Sequence, residues 1–253
     1  MFLPRVIPCL LIESGRLVKT RKFSEPGYIG DPINAVKIFN ELEVDELILL
    51  DIAASKKNVE PNYEHISEIV SEAFMPVAVG GGIKTFEQAS KLINIGVEKV
   101  IVNTGSFESY SVINEIANHF GSQSAVLSVD IKKTLFGGYK VYDHRSKKTV
   151  SIDFLEHIQH AISAGAGEIF INFVDNDGMG NGYNYEVIRS VSSAVQVPLI
   201  ACGGAGQLED FYKAVQSGAT ATAAGSMFVY SGKHRAVMIN YPGYEVLKRL
   251  FNE

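Results

Sequence analysis

The chain has 253 residues, of which 46% are hydrophobic and 20% charged, enough apolar material to bury a full core. A net charge of −5, with no basic run, argues against nucleic acid as the main partner. No apolar stretch approaches the roughly 20 residues of a membrane-spanning helix, and Met1-Phe2-Leu3-Pro4-Arg5 does not begin a secretory leader. Cys9 and Cys202 both lie in apolar runs, so buried free thiols and a cytoplasmic location are expected.

Strand-like apolar runs fall at about 5–11, 46–52, 76–80, 99–103, 125–130, 168–174, 198–202 and 219–224. Helical patterns lie between them. One runs through Val36, Phe39 and Leu42; others cover 86–95, 112–120, 154–164, 185–195 and 208–217. Thr85, Asp153 and Asn184 are suitable N-caps. Gly96, Gly165 and Gly218 suit left-handed C-terminal positions. Strands apolar on both faces, alternating with helices, indicate a parallel sheet wrapped by helices. Eight such units predict one (β/α)8 TIM barrel over 1–253, with no linker. Function is then expected at the carboxyl ends of the strands. Two long connections, Glu13 to Gly30 and Lys132 to Ser151, mark that face as lids or binding loops.

The chain also repeats itself. Val77-Ala78-Val79-Gly80-Gly81-Gly82 has the same form as Leu199-Ile200-Ala201-Cys202-Gly203-Gly204. Gly82 and Gly204 are 204 − 82 = 122 positions apart, as are Thr104 and Ser226 (226 − 104). Half-barrels of about 1–122 and 123–253 are therefore expected. Glycines after a strand let backbone N–H groups approach a ligand closely, and a helix start adds unpaired N–H groups. A single such loop is more often only a tight turn. Two in register predict two phosphate sites.

Arg5-Val6-Ile7-Pro8-Cys9-Leu10, Asp51-Ile52-Ala53-Ala54-Ser55, Gly80-Gly81-Gly82-Ile83, Val102-Asn103-Thr104, Asp175-Asn176-Asp177-Gly178 and Cys202-Gly203-Gly204-Ala205-Gly206 carry a resemblance. In order from residue 5 to about 230, the sequence resembles the cyclase subunit of imidazole glycerol phosphate synthase. The resemblance implies a glutaminase partner whose ammonia passes through the barrel to a substrate with a phosphate at each end. It implies imidazole glycerol phosphate and an aminoimidazole ribotide as products, serving histidine and purine synthesis. Neither a cofactor nor a metal is implied. Carried over residue by residue, substrate and phosphate binding falls to Asp51, Gly82, Asn103 and Thr104 in one half. In the other it falls to Asp177, Gly178, Gly204, Gly225 and Ser226. Lys19 matches the family's flap lysine, and Arg5, Glu46, Lys99 and Glu168 match a ring of charges where ammonia enters. Such a ring also reads as a structural ion network closing the floor, and the two roles are compatible. Gln123 and Glu98 lie near that face and could meet the glutaminase.

Two departures stand out. The family's chemistry uses an aspartate at the ends of strands 1 and 5, one as acid and one as base. Asp130 ends strand 5, but Leu11 stands at the end of strand 1 and cannot move a proton. Alternation places Arg5, Ile7, Cys9 and Leu11 on the inner face; Glu13 shares that parity but lies two residues further out, so it is not expected to substitute. The second departure is Tyr230 to Pro242, which is unlike the family's charged last helix. Lys233, His234 and Arg235 there read equally as an anion or partner site and as a solvated loop.

The pattern resembles a divergent branch associated with surface-sugar amidination, whose barrel conducts ammonia to a sugar amidotransferase. A conduit with impaired cyclisation is thus the first expectation. The alternatives are a working histidine-pathway cyclase that tolerates Leu11, and a phosphosugar isomerase of the related histidine-pathway barrel.

Overall fold

The structure is a computed structural model, and it describes residues 3–135 and 137–252. Eight parallel strands form the barrel: β1 (Arg5–Glu13), β4 (Leu47–Asp51), β5 (Val77–Gly80), β6 (Lys99–Val102), β7 (Ala125–Lys133), β10 (Glu168–Phe173), β11 (Leu199–Cys202) and β12 (Ala221–Ala224). They pair in chain order, β12 pairs back to β1, and the ring closes. The expected (β/α)8 barrel is therefore the fold.

Helices cover the outside: α1 (Pro32–Glu41), α2 (Ala54–Lys57), α3 (Tyr63–Ser71), α4 (Phe86–Asn94), α5 (Ser111–Phe120), α6 (Phe154–Ser163), α7 (Tyr185–Ala194), α8 (Leu208–Gln216), α9 (Ser226–Val229) and α10 (Tyr244–Asn252). The three expected N-caps are in place. Thr85 forms a capping box with Gln88, Asp153 accepts from the Leu155 and Glu156 amides, and Asn184 accepts from the Val187 amide. Gly96, Gly165 and Gly218 all have positive φ just beyond their helices.

The core is two nested shells. Outward side chains of the strands pack against the helices around Phe39, Leu92, Ile188 and Phe211. Inward side chains fill the barrel with Ile7, Cys9, Leu11, Ile48, Ile101, Phe170 and Ile200. Leu11 belongs to this inner cluster, as the alternation along β1 requires.

The two long connections are not irregular loops. Glu13 to Gly30 folds as β2 (Arg16–Arg21) and β3 (Ser24–Gly30), with β2 antiparallel to β1. Lys132 to Ser151 contains β8 (Tyr139–Asp143), antiparallel to β7, and β9 (Lys148–Thr149). Both flaps are therefore strand extensions that carry side chains back over the carboxyl-end mouth. The segment after α9 is a third small hairpin, β13 (Tyr230–Ser231) with β14 (Ala236–Val237).

Candidate functional site

One cavity opens at the carboxyl ends of the strands. All eleven residues that the sequence assigns to substrate, phosphate or proton transfer line it, together with Leu11: Lys19, Asp51, Gly82, Asn103, Thr104, Asp130, Asp177, Gly178, Gly204, Gly225 and Ser226. Strand order explains this convergence. β1 and β7 lie opposite each other in the ring, so Leu11 and Asp130 stand on opposite sides of the mouth.

The glycine loops are shaped by close backbone contacts. Gly81 and Gly82 have φ of +119° and +74°, and Gly203 and Gly204 have +89° and +122°. A Cβ at Gly81 would collide with the Asp51 carbonyl, and one at Gly204 with the Gly182 carbonyl. The Gly82 amide donates to Ser55 Oγ at 3.2 Å. Gly225 leaves room for a lysine, because a Cβ there would land on Lys19 Nζ. Lys19 reaches from β2 into the barrel and donates to the Cys9 carbonyl at 2.6 Å.

Gly204→Ala combines a positive-φ alanine with the Gly182 overlap. The expected loss is roughly 1–3 kcal/mol, or a melting temperature lower by roughly 2–10 °C. An NMR titration with inorganic phosphate checks the site itself. The amides of both loops are expected to shift in the unmodified protein, and the response around Ser226 is expected to be lost in the variant.

Asp130 is buried at 5% exposure and accepts from Asn103 Nδ2 at 3.0 Å. Burial raises its pKa from the usual carboxylate range to about 7, against the Asn103 hydrogen bond, with Asp177 and Asp143 adding to the rise. Asp177 is also raised by burial, while Thr20 Oγ1, donating at 2.7 Å, works the other way. Among the described residues, Asn103 Oδ1 and Asn172 Oδ1 are buried acceptors with no protein partner, and both residues line the cavity. Unpaired buried acceptors are costly unless something donates to them.

Sequence reading misses His144, which follows β8. Its Nδ1 lies 3.9 Å from Asp130 Oδ2, and it lines the same cavity. Asp143 forms the turn that presents it, accepting from the Arg145 amide at 2.9 Å and from Arg145 Nε at 3.0 Å. Burial lowers the His144 pKa to about 4, Lys56 and Arg145 push the same way, and Asp143 opposes. The available signal was the alternation Tyr139-Lys140-Val141-Tyr142-Asp143, a strand that aims the next turn back at the mouth. His144 thus stands beside Asp130 in the cavity. Lys56, from α2, is a second cavity residue the sequence leaves unmarked.

At the other end of the barrel the four charges form a closed cycle. Arg5 donates to both Glu46 and Glu168. Lys99 Nζ lies 2.9 Å from each of the same two carboxylates. Burial works against the Arg5 charge, but Glu168 and Glu46 more than offset it and hold its pKa above the ordinary value. Two charges of each sign are thus mutually compensated at the floor.

The hairpin after α9 touches the opposite, carboxyl-end face. Arg235 Nη1 donates to the Gly178 carbonyl at 3.4 Å and sits 4.5 Å over the Tyr230 ring. Among the described residues no cluster suits a metal ion, and no helix is long and apolar enough to cross a membrane.

Fold and cavity together define a (β/α)8 barrel with two half-barrel glycine loops facing one buried carboxylate. A family model described as Histidine biosynthesis protein matches residues 5–235. A Pseudomonas aeruginosa protein provisionally named imidazole glycerol phosphate synthase subunit hisF2 is 52% identical over 239 residues, covering 94% of this chain and 95% of the relative. A Leptospira interrogans protein provisionally named imidazole glycerol phosphate synthase subunit HisF is 47% identical, covering 99% and 100%. The imidazole glycerol phosphate synthase subunit HisF of Thermobifida fusca is 41% identical, covering 88% and 90%. The chain belongs to the HisF-type cyclase-subunit family of imidazole glycerol phosphate synthase.

Proposed function

We propose that this chain is an ammonia-receiving cyclase subunit acting on a substrate with a phosphate at each end, in histidine biosynthesis. The observation that carries the reading is the placement of two half-related glycine loops on one cavity with Asp130 between them. Gly82 and Thr104 hold one phosphate; Gly204, Gly225 and Ser226 hold the other, through backbone N–H groups. Asp51, Asp177 and Gly178 position the substrate between the phosphates, and Lys19 is the cation over it. The Oδ1 atoms of Asn103 and Asn172 are acceptors suited to N–H donors, ammonia included. A glutaminase docks at the amino-terminal face, near Glu98 and Gln123. Its ammonia enters past Arg5, Glu46, Lys99 and Glu168.

Leu11 favours a second reading. It faces the cavity where the resemblance puts the family's other catalytic aspartate. In that reading the barrel conducts ammonia to a separate acceptor enzyme, a sugar amidotransferase, and cyclises poorly itself. The two readings separate in one assay of the purified protein with excess ammonium salt and the family's bis-phosphate substrate. The cyclase reading expects turnover on the order of 1–10 s⁻¹, changed little by Leu11→Asp. No turnover in the unmodified protein, with activity appearing in Leu11→Asp, would establish the conduit instead.

A further inference from the structure

We propose that His144 is a catalytic residue of this barrel, working with Asp130 as the proton-transfer pair that Leu11 otherwise leaves incomplete. The inference rests on the cyclase reading above and names the residue that makes it workable.

The geometry is the starting point. His144 Nδ1 is 3.9 Å from Asp130 Oδ2, too long for a hydrogen bond and short enough for one reacting atom, seated to the side of the pair in the cavity, to reach both. Both side chains line the substrate cavity. The turn that presents His144 is fixed from behind, since Asp143 binds Arg145 through both carboxylate oxygens, at 3.0 and 3.1 Å, and Arg145 lies 5.7 Å over the Phe107 ring. The imidazole is therefore held at the mouth on an ordered hairpin. Its charged surroundings come from three sides: Asp130 on β7, Lys56 on α2, and Asp143 and Arg145 on its own turn.

The chemistry needs such a pair. Ammonia enters with three N–H bonds. Its nitrogen forms two C–N bonds, first to a substrate carbonyl carbon, whose oxygen leaves as water, and then to the carbon that closes the ring, and in the second a proton passes to a base. As the older C–N bond breaks, its electron pair departs with the amine of the aminoimidazole product, and that nitrogen takes a proton from an acid. His144, neutral at working pH, accepts the first proton, and protonated Asp130 gives the second. A proton passed from His144 to Asp130 restores both, so the pair ends with the one proton it began with. In the resemblance the two groups stand on opposite strands; here both are delivered from the β7 side, one by the strand and one by its flap.

The test uses the full chain with ammonium salt, rates expressed per free ammonia, and the bis-phosphate substrate. His144→Ala and His144→Gln are expected to lower kcat about 10²-fold, with KM within a few-fold and inorganic phosphate still shifting both loops by NMR. Added imidazole is expected to restore part of the His144→Ala rate, because the vacated space adjoins Asp130, and to leave His144→Gln unchanged. A His144→Ala enzyme as active as the unmodified protein overturns this inference while leaving the cyclase reading intact. A fall confined to KM, or without imidazole rescue, also overturns it and makes His144 a positioning residue. An unmodified protein with no turnover overturns both.

Discussion

Asp130→Asn is expected to remove nearly all cyclase activity, by roughly 10²–10⁴-fold in kcat. Asparagine keeps the shape, and its Oδ1 can still accept from Asn103 Nδ2, so the loss reports the proton rather than the packing. The pH profile sharpens the result. With the Asp130 pKa at about 7 and that of His144 at about 4, the pair holds one proton between those values and none above them. Activity per free ammonia is therefore expected to fall as pH rises through about 7, when the acid is lost. A residual Asp130→Asn rate should lack that limb.

Asp130→Asn should move stability in the opposite direction to activity. The folded-state pKa of Asp130 lies above its ordinary value of 3.8, so between about 4 and 7 the native state binds more protons than the unfolded one. Its contribution is least unfavourable at low pH and worsens as pH rises to about 7. Asp130→Asn is neutral throughout and should gain stability relative to the unmodified protein at pH 8, measured by denaturant unfolding. An active site that costs stability and yields rate is the ordinary trade-off.

How the site was legible follows from where its atoms come from. The phosphate loops are backbone features announced by their own glycines, and the 122-residue offset doubles the signal. Asp130 and the inward Leu11 follow from strand periodicity, which local sequence dictates. The floor charges are picked out by the resemblance, and the cost of an unpaired charge in an apolar bore adds that they must pair with one another. His144 is different. It comes from a flap hairpin whose residues alternate only weakly, and it reaches Asp130 through the pairing of β8 with β7, a contact between separated segments. The flaps read as loops for the same reason, since antiparallel extensions such as Arg16–Arg21 are specified by the strand they join. Helix α3 (Tyr63–Ser71) is missed although Tyr63, Ile66, Ile69 and Val70 fall at helical spacing, so the period is there to read.

Glu168→Ala is expected to be strongly disruptive at the barrel floor. Glu168 is 4% exposed and serves both cations of the cycle. Its removal leaves Arg5 and Lys99 sharing Glu46, so two positive charges face one negative charge in a partly desolvated place. Breaking a buried pair this way costs about 3–5 kcal/mol, and side-chain exposures of 31% for Arg5 and 17% for Lys99 favour the lower part of that range. The expected melting temperature is lower by roughly 5–12 °C. Glu168→Gln keeps an acceptor of the same size and should cost less, though it leaves the same excess charge. The functional readout separates a structural network from an entry gate. With a glutaminase partner present, glutamine-driven turnover should fall about tenfold or more in Glu168→Gln, while turnover on added ammonium salt stays within a few-fold, because ammonia in bulk solution reaches the cavity from the open mouth. Equal loss on both nitrogen sources would mean that the cycle only holds the barrel together. Loss confined to glutamine, with glutaminase binding and its own glutamine hydrolysis unchanged, means that Arg5, Glu46, Lys99 and Glu168 control passage.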